Sequence, residues 1–182
     1  AEYPVPVCII NGAVSGSVID EHFPDPVNRE NLETIYGRLL NRCKRAGVAN
    51  GVRSIIWHQG EHHTDSAYMR WGEMWDTLRE EWRRDFPSID LIVVCQTRHG
   101  CGQNHQDMIR DAQRRLFERY PEVRLITTSD FPEHDGCHYG TNGYFALGDR
   151  LFRVYAANYH SAVFPYSVTA PRLQRAFFAT NK

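Results

Sequence analysis

Three short segments hold most of the side chains able to do acid–base chemistry. Asp135-Gly136-Cys137-His138 sets an acid three residues before a histidine. An Asp so placed in a loop can orient and support an imidazole, which can then act as general base for a hydroxyl nucleophile. Trp57-His58-Gln59-Gly60-Glu61 offers an amide donor and a carboxylate, with a glycine between them that permits backbone conformations closed to other residues. The run from Asn11 to Ser17, "NGAVSGS", is built of small residues that let backbone N–H groups approach an anion or an oxyanion. Each segment taken alone also fits a solvated turn. A second chemistry fits the same residues. His58, Glu61, His62, His63, Asp65, His134, Asp135 and His138 offer imidazoles and carboxylates suited to zinc or manganese, as in a metal-dependent hydrolase. However, His-Gln-Gly-Glu-His is not His-Glu-x-x-His, and it follows a strand-like run rather than lying within a helix.

The elements that must position these residues alternate. Apolar runs at 5–11 ("VPVCIIN"), 52–59, 91–97 and 123–130 read as strands. Between them lie helical periodicities. Leu32, Ile35, Tyr36, Leu39, Leu40 and Cys43 share one face, with Gly47 as a C-terminal cap. Tyr68, Trp71, Trp75, Leu78, Trp82 and Phe86 form a stripe that reads as helix-to-sheet packing. Met108, Ile109, Ala112, Leu116 and Tyr120 line a third helix, and Thr141 opens a fourth. Near-continuous apolar strands, each followed by a helix, predict an α/β domain: a parallel sheet flanked by helices on both faces in three layers. Such sheets bind ligands beyond the carboxyl ends of their strands, and all three polar segments fall there. After Tyr159 the pattern lapses. Residues 161–182 read as a linker or the start of a β-rich segment, following a domain over 1–160.

Bulk properties narrow the function classes. The 182 residues are 42% apolar and 24% charged with net charge −1, so no general field attracts nucleic acid or an anionic membrane. No apolar run approaches the ~18 residues of a membrane span, and the opening "AEYPVPVCIING" lacks the basic and apolar regions of a signal peptide. Five cysteines form no C-x-x-C pair. Cys8, Cys43 and Cys95 lie in apolar runs and read as core, and Cys95 and Cys101 are spaced to pair across a loop.

In order and context the three segments resemble the SGNH hydrolase superfamily. More narrowly, they are similar to its sialate O-acetylesterase and acetylxylan esterase branch, carbohydrate esterase family 6. Trp57, Gln59, Gly60 and Glu61 match the W-x-Q-G-E strand end, Gly16 the oxyanion-hole glycine, and Asp135 and His138 the late D-x-x-H. The resemblance covers roughly residues 5 to 155. It implies an SGNH or flavodoxin-like fold, an acetylated carbohydrate as substrate, and acyl transfer without a cofactor or metal. His138 would be the base, supported by Asp135, Glu61 or both. Gly16 N–H and the Gln59 amide would stabilise the oxyanion.

The family's nucleophilic serine lies in a G-x-S turn after a strand preceding this region. Here the chain opens at what reads as the second strand, as an incomplete domain. The serine is then expected from a segment outside this chain or from a further domain or chain. Ser15 and Ser17 fall in the oxyanion loop, without the elbow a nucleophile needs. A non-catalytic carbohydrate-binding pseudoenzyme on the same scaffold is the other reading. The resemblance favours a secreted or periplasmic location.

Overall fold

The computed structural model describes residues 3–64, 66–101 and 104–171. Helix α1 (Ile35–Arg45) leads to β1 (Ser54–Trp57), followed by α2 (Ala67–Asp85), β2 (Leu91–Gln96), α3 (Gln106–Arg119), β3 (Val123–Thr127) and α4 (Thr141–His160). The strands form one parallel sheet in the order β1-β2-β3. Ser54 pairs with Leu91 and Trp57 with Val94, then Ile92 with Val123 and Gln96 with Thr127. Parallel neighbours need a crossover, and α2 and α3 supply them.

Successive side chains of a strand point to opposite faces, and β2 shows what covers each. Ile92 and Val94 pack with Tyr36, Leu40, Trp71, Trp75, Leu78, Ile109 and Leu116, so α1, α2 and α3 share one face. Leu91, Val93 and Cys95 pack with Val154, Leu147, Leu151 and Tyr155 of α4 on the other. The fold is thus the expected three-layer α/β arrangement. Burying side chains such as Leu78 and Ile109 stabilises it by roughly 1.5–3 kcal/mol each before ordering costs. The tryptophan stripe of α2 is core, as its period indicates. No helix among the described residues is long and apolar enough to cross a membrane.

Some expectations fail. Residues 5–11 form no strand, because they find no ladder partner among the described residues; Val7 and Ile9 are about 80% and 81% exposed. Cys8 is exposed rather than core for the same reason. Leu32 is exposed because α1 starts later, where Thr34 Oγ1 accepts the Gly37 N–H at 2.9 Å. Met108 is exposed because Gln106, Ile109 and Gln113 carry the inward face of α3. Beyond α4, Ala170 is buried and its N–H donates to Leu125 O of β3 at 2.7 Å. Residues 172–182 of the expected linker lie outside the described residues.

Candidate active site

The loops leaving β1, β2 and β3 gather at one rim of the sheet. Trp57, the last residue of β1, is anchored between Trp82 and His22 at ring separations of 5.2 and 5.1 Å. Gln59 then turns inward and is buried. Its Oε1 accepts the Trp71 indole N–H at 3.0 Å, which fixes the orientation of the amide. One Nε2 proton goes to His62 O at 2.8 Å. The other meets Ser17 O only at 3.4 Å and is the proton a ligand can most easily take.

Gly60 has φ +135°, and a Cβ there would lie 2.8 Å from Ile109 Cγ2. The backbone of this turn is pinned to α3 from below. Gln113 Nε2 donates to Gln59 O, and Gln106 Nε2 donates to both Gly60 O and Glu61 O, all at 3.0 Å. Gln113 Oε1 also accepts the Thr97 N–H, tying in the end of β2. No sequence motif marks these two glutamines. Their signal is two amides seven residues apart on the buried face of a helix, where polar groups need partners. Gly60→Ala is expected to destabilise the fold by about 2 kcal/mol or more, from positive φ and overpacking together, measured as a lowered urea midpoint.

The small-residue loop is stitched to this turn. His62 Nδ1 donates to Gly16 O at 2.6 Å, and Gly16 takes φ +71°. The Gly16 N–H has no acceptor among the described residues. Ser17 Oγ lies 2.8 Å from both Val14 O and His22 Nε2. Its single proton goes to the carbonyl, so His22 N–H donates to the hydroxyl oxygen. Burial lowers the His22 pKa against the opposing charge of Glu21, keeping the ring neutral. A histidine that spends its proton on the serine is no base for it, so Ser17 is held rather than activated.

Asp135 and His138 sit at the tip of a hairpin closed by an antiparallel bridge between His134 and Tyr139. Asp135 Oδ1 accepts the N–H groups of Cys137 and His138 at 2.8 and 2.7 Å, and Oδ2 accepts from His138 Nδ1 at 2.9 Å. These backbone and ring donors, the His138 amide foremost, hold the Asp135 carboxyl well below the usual range. With Nδ1 protonated, the Nε2 lone pair is left open, and the ring is 79% exposed. A base needs this arrangement.

Glu61 is placed differently. It contacts His58 Nε2 at 3.0 Å, off the line of a hydrogen bond. It sees His138 as a charge. Burial pushes its pKa up, but the His58 contact and the charges of His58 and His138 outweigh this and leave it lowered. Ionised Glu61 therefore stabilises the fold above its unfolded pKa of about 4.3, and that gain is lost as pH falls through the lower folded value. Glu61→Gln should flatten the stability curve below about pH 5 in urea titrations at successive pH values.

The other donors of the metal reading diverge. His62 turns to Gly16 O and His63 to Asn104 O, and Asp65 lies outside the described residues. Among the described residues no three His, Cys, Asp or Glu side chains converge on one point. The cysteine expectation needs correction too. Cys101 bonds to Cys137, not Cys95. Cys95 faces α4, where burial pushes its thiol up to about 12.

The chain superposes on a protein from Arabidopsis thaliana, solved by X-ray diffraction at 1.6 Å, with TM-score 0.64 and 25% identity. The match covers 79% of this chain and 58% of that one. A search of curated proteins finds no match. The model of a family described as carbohydrate esterase, sialic acid-specific acetylesterase, matches residues 2–157. With its three-layer fold and its polar rim, the chain belongs to that family.

Proposed function

We propose that the complete protein is a serine acetylesterase that removes acetyl groups from sugar hydroxyls of the sialate or xylan type. The observation that carries this reading is the Asp135–His138 pair: a carboxylate on Nδ1, and Nε2 open at the rim of an esterase-family fold. The serine comes from a segment outside this chain. The 58% span of the Arabidopsis protein and the held state of Ser17 support that. In the reaction, His138 Nε2 takes the serine proton as Oγ attacks the acetyl carbonyl, then returns it to the leaving sugar oxygen. Asp135 keeps the ring in the required tautomer and stabilises its charged form. The Gly16 N–H and the loosely held proton of Gln59 Nε2 face the oxyanion. Glu61 adds negative charge near enough for His138 to feel it. No cofactor enters the scheme. A disulfide at the rim supports a secreted or periplasmic location.

The test is acetate release by the complete protein from 9-O-acetyl-N-acetylneuraminic acid and from acetylated xylan. Turnover of either, surviving chelation by EDTA, is the result expected. Binding of the deacetylated sugar without turnover would favour the carbohydrate-binding reading, and loss of activity on chelation the metal reading.

A further inference from the structure

We infer that the Cys101–Cys137 disulfide positions His138, so that the base is competent only while this bond is oxidised. The inference rests on the proposed role of His138. The hairpin bearing the base is anchored at its foot. Tyr139 is buried and donates its hydroxyl proton to Thr128 Oγ1 at 2.6 Å, and its ring packs on Phe131 at 5.5 Å. Glu133 holds the Asn142 N–H at 3.0 Å at the start of α4. The tip is another matter. The Asp135 N–H goes to His138 O, and both Asp135 oxygens are spent on Cys137 and His138. These bonds fix His138 relative to Asp135. They do not fix either residue relative to the sheet rim, where a substrate must lie.

Among the described residues the tip makes no hydrogen bond to any other part of the chain. Its tie is covalent. Cys137, adjacent to His138 in sequence, is bonded to Cys101, a buried residue in the loop leaving β2. Gly136 runs alongside that loop, with a built Cβ 3.6 Å from Gly100 O. Without the bond, the four-residue tip is left to turn on the His134–Tyr139 bridge at its foot. A base needs its nitrogen within hydrogen-bond reach of the nucleophile, and small misplacements are costly.

A dithiol reductant attacks one sulfur as thiolate and forms a mixed disulfide. It then closes to its own cyclic disulfide, leaving Cys101 and Cys137 as protonated thiols after a two-electron transfer. The experiment uses the complete protein and the variants Cys101→Ser, Cys137→Ser and the double. For each, kcat and KM are measured on an aryl acetate, and amide exchange is followed along the chain. If the bond positions the base, the three variants lose the same kcat, roughly 10- to 100-fold, with KM little changed. Dithiothreitol takes the parent protein to that level and leaves the variants unmoved. Exchange speeds at 135–138 but not at 91–96. Unchanged exchange at 135–138, equal acceleration in β2, or kcat within about twofold of the parent each overturns the inference. If the complete protein hydrolyses no ester, the proposed function fails by itself, and exchange at the tip still decides whether the bond holds it.

Discussion

Replacing His138 by alanine in the complete protein is expected to reduce acetyl-ester hydrolysis by roughly 10⁴-fold or more, the scale of losing a triad base. The fold should be nearly unaffected. The ring is 79% exposed and its one side-chain bond goes to Asp135, itself at the surface. Surface changes of this kind usually stay within about 0.5 kcal/mol. A large kinetic effect with no stability effect separates a chemical role from a packing role. Activity within about tenfold of the parent, a span of roughly 1.4 kcal/mol in barrier height, would remove His138 from the mechanism.

Gln59→Ala should lower kcat by roughly 10²–10³-fold with a smaller change in KM, as expected for loss of an oxyanion donor. Here stability must be measured alongside, because Gln59 has a second task. Its Oε1 is the acceptor for the buried Trp71 indole, and its Nε2 holds His62 O. Leaving such groups unpaired costs about 1–3 kcal/mol each. A variant that unfolds more easily yet keeps full kcat would show Gln59 to be only a brace between the loops. One that raises KM alone would place it in substrate binding.

Local pattern and sheet geometry differ in how legible they are. The α2 stripe from Trp71 to Trp82 was readable because its period matches the helix turn and every member reaches the same face of the sheet. β2 was readable because a strand buried on both faces is apolar throughout. Residues 5–11 have the same composition and yet form no strand, since composition carries no information about whether a ladder partner is present. The D-x-x-H spacing pointed to the Asp135–His138 contact, because three residues suffice to close that loop. Whether Asp135 or Glu61 meets the ring was not legible. Gly60 redirects the chain between Gln59 and Glu61, and the carboxylate ends at His58. The partner of Cys101 was also hidden, because it depends on which rim loops lie side by side. Cys95 is near in sequence but lies within β2, buried against α4.

The most direct measurement is covalent labelling of the complete protein with a fluorophosphonate, located by mass spectrometry. The expected result is a single adduct on a serine outside the 182 residues, formed rapidly in the parent and at least about 10³-fold more slowly in His138→Ala. An adduct on Ser15 or Ser17, or labelling whose rate ignores His138, would contradict a His138-activated serine supplied from outside this chain.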